Sequence, residues 1–425
     1  MKVLMICDFS VEEVRKKLML DSDSIMMKIR KLFNKTYKVV DHGLWNHYAI
    51  NELESYHEID LTVISFHAFM KKKLQRFDIG STKYIFIRMR GMTITSKLGY
   101  LFNGKEIQRE KDLALISGLI KEINPDIIHV IGAETSYYSE AILKVPRKIP
   151  TIVQLQTLLA DPDAKIYYPG LEKRIPSERR VLERADYIAT PVKRYGSIIK
   201  KEIKNNAVIL NTFLALTEPI DRKECKKEFD FVYFAADISK ACDLAINAFV
   251  IAKKKHPEIT LDIVGFYNID YKKELDIYLQ NLGISDSVFF EGRLDSHEDV
   301  INQIRKARFA LIPTKMDMIS STQREAMANG LPLVATITNG TPILNLKRES
   351  ALLSVIGDDE AMANNMLRLL DNSLLADQLR ENAYITSSEN KSNKQAIKDW
   401  VICYKCCIEH HSKGVPIPHE YLLDC

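Results

Sequence analysis

No stretch of the 425-residue sequence contains the ~20 consecutive apolar residues that a membrane-spanning helix needs. The N-terminus, MKVLMICDFSVEE, is apolar for only about seven residues, which is too short for a signal peptide and suits a first β-strand. Internal repeats and low-complexity segments are also absent. These absences predict a globular, cytoplasmic protein that is soluble or bound at a membrane surface.

A strong excess of one charge is missing as well. The formal net charge is +4 at pH 7, too small to indicate a nucleic-acid-binding protein by itself. The seven cysteines follow no regular framework, which favours reduced thiols in the cytosol over a secreted disulfide scaffold. The composition is that of a globular protein, and the length is comfortable for two domains.

What the chain does contain is a repeated alternation of short apolar runs and longer segments with helical spacing. Brief apolar, β-branched runs bounded by polar or turn residues predict β-strands. In the first half they occupy 3–7, 59–66, 83–89, 126–132, 150–156, 187–190 and 207–211. A stretch with helical spacing, EKDLALISGLIKEIN at 110–124, lies between two of them. This alternation predicts a parallel sheet covered on both faces.

The alternation restarts in the second half of the chain. Strands are predicted at 230–235, 260–265, 287–292, 309–313 and 332–336, with helices at 240–256, 271–283, 297–307 and 323–330. The polar segment TEPIDRKECKKEFD separates the two series. We therefore predict an α/β protein of two doubly wound, Rossmann-like domains facing a central cleft, where ligands of such sheets bind.

One segment of the second half concentrates polar side chains between two apolar runs. In IPTKMDMISSTQREAMANGLPLVAT, Asp317 and Glu325 stand eight positions apart, with Ser320, Ser321 and Thr322 between them. The segment follows the carboxyl end of a predicted strand and begins a helix, whose free N–H groups can bind a phosphate. Glu325 can accept hydrogen bonds from a ribose, and Asp317 from a second polyol such as a sugar. The alternative interpretation is that the hydroxyls only cap the helix and that the acids are solvated.

The second half resembles the C-terminal domain of glycosyltransferase family 4, the group 1 glycosyltransferases of GT-B fold. The similarity rests on FAADISKACDLAINAF, LDIVGFY, VFFEGRLDSHEDVINQIRKARFALIPTKMD and DMISSTQREAMANGLPLVATITNGTP, in this order. INPDIIHVIGAE, IPTIVQLQ, ERADYIATP and VILN of the first half fall in the order of the family with weaker similarity. The resemblance implies a GT-B fold in which a C-terminal helix crosses back to the N-terminal domain. The implied organisation is an acceptor-side domain at 1–216, a linker at 217–229, a nucleotide-sugar-binding domain at 230–388 and a returning helix and tail at 389–425.

The resemblance also implies roles for individual residues. Lys240 would bind the diphosphate, Asp317 the donor sugar and Glu325 the ribose. The backbone around Ser320, Ser321 and Thr322 would hold the distal phosphate, and Gly265 and Arg293 would lie on the nucleotide side. Family members typically retain anomeric configuration without a metal or other cofactor. Lys240, Asp317 and Glu325 are therefore the expected catalytic group.

Three departures from the family pattern bear on this assignment. Asp237 stands near the place of the usual phosphate-binding arginine, in a shorter loop, and Asp317 replaces the usual glutamate. The glycine-rich loop usual after the first strand is missing, since CDFSVEEV at 7–14 contains no glycine. The first departure weakens the expected binding of the diphosphate. The last leaves the N-terminal part of the site without the loop that the family usually has there.

Several other residues have both a structural and a functional interpretation. Glu134 follows a strand on the expected cleft side and is a candidate for contact with the acceptor or donor sugar; the alternative is an acid in a surface loop. Gln154 and Gln156 lie where many relatives have a histidine, and Gln156 is a candidate for the acceptor pocket. His129, inside an apolar strand, is more typical of a core histidine than of a ligand. The segment WVICYKCCIEHH contains Cys403, Cys406, Cys407, His410 and His411, but without a second ligand pair it indicates a helix more than a zinc site.

Basic clusters in the N-terminal half can be solvated faces or contacts with anionic membrane. They comprise Arg15, Lys16, Lys17, Lys28, Arg30, Lys31, Lys71, Lys72, Lys73 and Arg76.

The sequence thus predicts a glycosyltransferase that moves a sugar from a UDP- or GDP-sugar to a saccharide or lipid-linked acceptor in surface polysaccharide synthesis. No nucleic-acid partner is expected. The alternatives are a catalytically silent GT-B binding or scaffold protein and another GT-B sugar-phosphate enzyme, such as a phosphorylase or an epimerase.

Overall fold

The structure of the protein is a computed structural model. It describes residues 1–20, 41–67, 69–88, 110–162, 164, 171–212, 225–238, 241–315, 320–338, 340–389 and 392–425. The chain divides into two compact units, Met1–Leu214 with Asn393–Cys425, and Ala215–Ser392.

The first unit is built on an eight-stranded sheet in the order β3-β4-β2-β1-β5-β6-β7-β8. Its neighbouring strands are parallel except for β3, which pairs with β4 in antiparallel orientation. β1 and β5 are buried along almost their whole length, as expected for strands covered on both faces. The strands are β1 Lys2–Ile6, β2 Asp60–His67, β3 Leu74–Ile79, β4 Thr82–Arg88, β5 Ile127–Ile131, β6 Thr151–Gln154, β7 Tyr187–Ala189 and β8 Val208–Leu210.

Helices of the first unit lie between these strands and cover the sheet. They are α1 Glu12–Arg15, α2 Leu44–Glu54, α3 Ser136–Ser139, α4 Ile175–Arg184 and α5 Lys193–Glu202. Residues 110–123 are also helical, which confirms the helix predicted from their apolar spacing. Short 3-10 turns occupy Glu140–Lys144 and Glu172–Arg174.

The second unit is built on a six-stranded parallel sheet in the order β11-β10-β9-β12-β13-β14. Its central strands are bracketed by apolar clusters on both faces, because successive side chains of a strand point to opposite faces. Phe231 of one face pairs in register with Phe309 of the neighbouring strand. The strands are β9 Phe229–Asp237, β10 Leu261–Phe266, β11 Val288–Gly292, β12 Ala307–Ile312, β13 Leu333–Thr336 and β14 Ala351–Ser354.

The helices of the second unit follow its strands in the alternating order of a doubly wound fold. They are α6 Cys242–Lys253, α7 Ile269–Asn281, α8 His297–Ile304, α9 Ser321–Ala328, α10 Asp359–Asp371 and α11 Ser373–Glu389. Short 3-10 turns occupy Ser285–Ser287 and Thr341–Asn345. The two doubly wound sheets predicted from the sequence are thus present.

The C-terminal helix α12, Asn393–Lys413, returns to the first unit. Its Trp400 and Tyr404 are buried in the same core as Val3 and Met5 of β1. The Tyr404 hydroxyl lies 2.7 Å from Nδ1 of His129, which is therefore a core histidine, as its apolar surroundings predicted. After a last 3-10 turn, His419–Tyr421, the tail adds an antiparallel bridge between Leu422 and Leu210 of β8.

Candidate functional site

The strand order of the second unit reverses at its centre. From β9 the chain moves outward to β10 and β11, and then returns to place β12 on the other side of β9. In open α/β sheets, ligands bind beyond the carboxyl ends of the strands at such a switch point. The loops after β9 and β12 are therefore the expected position of a ligand.

The loop after β12 leads into the N-terminus of α9. Ser320 is the N-cap residue with an extended backbone, but within the described part of the chain its side chain makes no capping bond to the helix. Its hydroxyl instead lies 2.9 Å from the Thr322 hydroxyl. The interpretation in which these hydroxyls only cap the helix requires a capping bond from Ser320, and no such bond is present among the described residues. The first N–H groups of the helix point towards the switch point with their partial positive charge and can bind an anion there.

Glu325 lies one turn into α9 and has a histidine partner that the sequence did not predict. Its carboxylate is 3.2 Å from Nε2 of His297, the first residue of α8, with side-chain exposures of 14% for Glu325 and 45% for His297. The hydrogen bond to Glu325 raises the pKa of His297 against the opposing effect of burial. A ribose that binds Glu325 must therefore share the carboxylate with His297 or displace it.

Lys240 and Asp317, two of the three predicted catalytic residues, lie outside the described residues. The backbone of Asp237 ends β9, but its side chain is likewise outside the description. Lys315, two residues before Asp317, is a cation at the same edge that the sequence reasoning missed. Its Nζ lies 3.1 Å from Asp243 in the first turn of α6, which ties the loop after β12 to the helix after β9.

The backbone at the end of β10 requires a glycine at position 265. A Cβ atom built on it would lie 2.0 Å from the carbonyl oxygen of Ala235, and its φ of +149° is rarely adopted by other residues. The register between β9 and β10 shifts at this point. Close approach of two strands therefore explains the glycine, and its role in binding a nucleotide stays a prediction.

Arg293 follows β11, two strands away from β9, and is exposed. It lines a polar cavity of about 450 Å³ beside α8. The other lining residues are Leu294, Asp295, Asp299, Asn302, Gln303 and Lys306. This places Arg293 at a groove along α8, and among the described residues no contact joins it to Glu325.

In the first unit, the two acceptor-side candidates are brought together. Glu134 follows β5 and Gln156 follows β6, the neighbouring strand. The Gln156 amide is oriented so that its nitrogen and its oxygen each make a hydrogen bond. The nitrogen donates to Oε1 of Glu134 at 3.1 Å, and the oxygen accepts from Nε1 of Trp45 at 2.9 Å. Burial raises the pKa of Glu134 to about 7, despite nearby N–H donors and Arg174. Trp45, which comes from α2, is not predicted from any pattern in the sequence.

The cysteine- and histidine-rich segment lies within α12 and has structural roles. Cys403 and Cys407 are buried. His410 lies 2.8 Å from the Tyr187 hydroxyl, and His411 lies 2.8 Å from the carbonyl oxygen of Arg147. Among the described residues, no group of three or more His, Cys, Asp or Glu side chains is arranged to hold a metal ion.

The basic clusters of the first unit are partly paired with acids. Arg15 contacts Asp41 at 2.6 Å, and Lys16 contacts Glu12 at 3.0 Å. Lys28, Arg30 and Lys31 lie outside the described residues. Within the described ranges, no helix combines the length and the apolar character needed to cross a membrane.

Comparison with known proteins identifies the second unit. Residues 218–386 match the model of the family described as glycosyl transferases group 1. This segment is similar to the group 1 glycosyltransferases. The match confirms the predicted resemblance, and the predicted enzyme class, glycosyltransferase, is that of the family. The group 1 domain includes the switch point, the N-terminus of α9, Glu325 and His297.

One curated relative of the chain is a sugar-phosphate synthase. Over 108 residues the chain is 32% identical to mannosylfructose-phosphate synthase of Agrobacterium fabrum (strain C58 / ATCC 33970). The matched segment covers 24% of each chain. The match thus spans about a quarter of the length of this curated relative.

Solved structures extend the similarity to nearly the whole chain at the level of the fold. Sucrose-phosphate synthase from Thermosynechococcus elongatus superposes with a TM-score of 0.68 at 14% identity, covering 95% of this chain and 98% of that one. A structure described as "Trehalose-6-phosphate from E. coli bound with UDP-2-fluoro glucose" gives a TM-score of 0.65 at 10% identity, covering 95% and 99%. The predicted GT-B fold, with two Rossmann-like domains and a returning C-terminal helix, is confirmed.

Proposed function

We propose that the protein transfers a sugar from a nucleotide-sugar donor, bound by the group 1 domain, to a hydroxyl of a saccharide acceptor. The observation that carries the proposal is the N-terminus of α9, where the N-cap side chain makes no capping bond within the described residues. Glu325 lies one turn further, and both are at the switch point of a group 1 domain. This arrangement offers N–H donors to a phosphate and a carboxylate to a ribose, and these are the two ends of a nucleoside diphosphate.

In this proposal the first unit holds the acceptor and the second unit the donor. Lys240 binds the diphosphate, Asp317 binds the donor sugar and Glu325 binds the ribose. Gly265 and Arg293 lie on the nucleotide side, and Ser320, Ser321 and Thr322 surround the distal phosphate. Glu134 and Gln156 lie on the acceptor side. UDP-sugars are the first donors to test, since the E. coli structure compared above contains a UDP-sugar analogue.

The chemistry follows from the absence of a protein nucleophile in the family pattern. The acceptor hydroxyl attacks the anomeric carbon as the bond to the diphosphate breaks, and its proton passes to the leaving phosphate on the same face. Configuration is thereby retained, and the main task of the protein is to stabilise negative charge on the diphosphate. The helix N-terminus and Lys240 supply positive charge for this step, and Lys315 adds a cation near the same loop.

We further propose that the acceptor belongs to surface polysaccharide synthesis and is lipid-linked, and that the protein contacts anionic membrane. The names of two of the compared relatives, sucrose-phosphate synthase and mannosylfructose-phosphate synthase, make a free sugar phosphate the second acceptor class to test.

We expect the purified protein to release UDP from a UDP-sugar in the presence of EDTA at the rate seen without it. A lysine and a helix N-terminus replace the divalent ion that other transferases use, so chelation removes nothing that the step needs. The measurement is release of UDP across a panel of UDP- and GDP-sugars, with neutral and phosphorylated saccharides as acceptors. Strict dependence on Mg²⁺ or Mn²⁺ would contradict the metal-independent mechanism. Absence of both binding and turnover across the panel would favour the silent, scaffold alternative.

A second prediction concerns the His297–Glu325 pair. The protonated imidazole holds the carboxylate that the ribose needs, so UDP-glucose is expected to bind more weakly as the pH falls through the raised pKa of His297. Because His297 is 45% exposed, we expect a loss of roughly two- to fivefold, the range of an exposed ion pair worth ~0.4–1 kcal/mol. His297→Asn should flatten this dependence. The measurement is the Kd for UDP-glucose between pH 6 and pH 8.

The chain offers a matched control for this experiment. His256 is another histidine of the second unit, and it pairs with Asp371 at 2.8 Å beyond the opposite end of α6 from the switch point. His256→Asn should leave the pH dependence unchanged, whereas Glu325→Gln should remove it as His297→Asn does. An unaltered pH dependence in both His297→Asn and Glu325→Gln would show that this pair does not bind the ribose.

A further inference from the structure

Five side chains gather at the carboxyl edge of the first sheet, beyond the ends of β1, β5 and β6. Asp8 follows β1, Glu134 and Tyr137 follow β5, Gln156 follows β6, and Trp45 comes from the first turn of α2. We call these residues the β5-edge cluster. All five belong to the first unit.

Glu134 is fixed by its neighbours, and because burial raises its pKa to about 7, it is fully charged only above neutral pH. Gln156 holds Oε1 and is itself held by Trp45, while Oε2 is buried with no hydrogen-bond partner among the described residues. The carboxylate also lies against Gly132, where an added Cβ would come within 2.9 Å of Oε1. A carboxylate positioned in this way can accept a hydrogen bond from a hydroxyl that enters the cluster.

Asp8 adds a second acid to the same edge. Its Oδ2 accepts a hydrogen bond from the Tyr137 hydroxyl at 2.8 Å, and His42 lies 3.6 Å from Oδ1. The pKa of Tyr138 is raised first by burial. The charges of Glu134 and Asp8 are the next largest causes of that increase. The geometry agrees: an added Cβ at Gly132 would lie 2.8 Å from the Tyr138 hydroxyl and 2.9 Å from Oε1 of Glu134. The neighbouring Tyr137 donates to Asp8.

The remaining members of the cluster suit a sugar. Trp45 is only partly buried, so part of its indole is open to a ligand, and its N–H bond to Gln156 fixes the ring. An aromatic face packs well on the apolar face of a sugar ring, while amide and carboxylate groups bind its hydroxyls. A phosphate group would meet two carboxylates instead, and like charges brought together away from water repel strongly.

We propose that the β5-edge cluster binds an uncharged, polyhydroxylated part of the acceptor, and that its two carboxylates select against a phosphate group at this position. This inference rests on the proposed function, in which the first unit holds the acceptor. A protein with this preference differs in acceptor specificity from enzymes whose acceptor carries a phosphate at this position.

Tryptophan fluorescence can test the proposal without turnover. The sequence contains two tryptophans, and Trp400 is 1% exposed in the core, so a saccharide at the cluster should change the emission of Trp45. The probes are glucose, fructose and mannose, each titrated against its 6-phosphate ester at about pH 8.5, where Glu134, with its pKa of about 7, is ionised. We expect the neutral sugars to bind at least about tenfold more tightly than their phosphate esters. Trp45→Phe should abolish the signal, which shows that it arises at the cluster.

Charge-neutral variants test whether the carboxylates cause the preference. Glu134→Gln and Asp8→Asn keep the size of each side chain and remove its charge, so each should reduce the preference for neutral sugars to less than about threefold. Glu183→Gln removes an exposed acid of the same unit and serves as the control, which should keep the full preference. Transfer from UDP-sugars to the same probes should follow the same order.

The outcomes separate this inference from the proposed function. Release of UDP from a UDP-sugar without added acceptor reports donor chemistry alone, and its absence together with absence of donor binding would overturn the proposed function. With donor release intact, equal or tighter binding of the phosphate esters would overturn the inference. It would also be overturned if no saccharide probe bound or accepted sugar, or if Glu134→Gln and Asp8→Asn both kept the full preference.

Discussion

Lys240→Ala is expected to lower the turnover of sugar transfer by ~10³-fold or more, at or beyond the upper end of the ~10²–10³-fold that removal of one charge-stabilising donor costs. Asp237 stands where the family usually has an arginine, so Lys240 is the one side-chain cation that the motif match assigns to the diphosphate. Lys315 cannot fully replace it, because Asp243 at 3.1 Å already balances its charge. The measurement is turnover and the affinity for UDP, compared with the wild type.

Three further variants make this prediction specific. Lys315→Ala should cost less than Lys240→Ala, and Lys254→Ala should cost nothing, since Lys254 caps the opposite end of α6 from the switch point. Asp237→Arg restores the family residue and should tighten UDP binding in the wild type and partly rescue Lys240→Ala. Near-normal turnover and affinity in Lys240→Ala would place the donor site elsewhere. If Asp237→Arg has no effect in either background, Arg293 becomes the next candidate for the second cation.

The contrast between Lys240 and Lys315 shows what the sequence could and could not provide. Glu325 and the hydroxyls before it are predicted from local sequence, since their roles depend on a strand end, a helix start and spacing along one segment. Lys240 is predicted from the resemblance to the family. His297 and Lys315 reach Glu325 and Asp243 across elements that are 28 and 72 residues apart in the chain. Those contacts depend on how α8, α9 and α6 pack on the sheet, and a pattern along the chain does not encode them.

The same limit applies to the first unit. Glu134 and Gln156 were candidates because each follows a buried strand, and parallel neighbours end at the same edge. Trp45 was not a candidate, because it begins a helix over 80 residues away from Glu134. Its bond to Gln156 exists only because α2 packs beside the end of β1, where Asn46 donates to the carbonyl oxygen of Asp8 at 3.0 Å.

For the fold, two strands, β3 and β14, were not predicted. β3 reads LQRFDI, and its partly exposed, polar positions give no continuous apolar run, as is typical of an edge strand. β14, ALLS, is mostly buried, and its apolar run was missed. Strands such as β1 and β5 carry a strong signal because both of their faces are buried.

The C-terminal helix is the element whose loss should damage the fold most. Trp400→Ala is expected to lower the free energy of unfolding of the first unit by ~3–5 kcal/mol, because it removes a fully buried aromatic side chain and leaves a cavity in the core. Trp400 packs edge-to-face on His129, with ring centroids 4.6 Å apart, and belongs to the core that includes β1. The measurement is unfolding by guanidinium chloride followed by the fluorescence of Trp45, which reports on the first unit alone.

Two variants and a truncation test the cause of this effect. Trp400→Phe should cost much less, since it keeps most of the apolar volume and removes an indole N–H that has no hydrogen-bond partner among the described residues. Leu374→Ala changes a side chain of the second unit that is 81% exposed, and the stability of the first unit should not respond. Removal of residues after 392 exposes the apolar surface that α12 covers, so we expect the first unit to lose cooperative unfolding although its own strands are intact. If the truncated chain or Trp400→Ala unfolds at the midpoint of the wild type, α12 does not stabilise the core in which it lies.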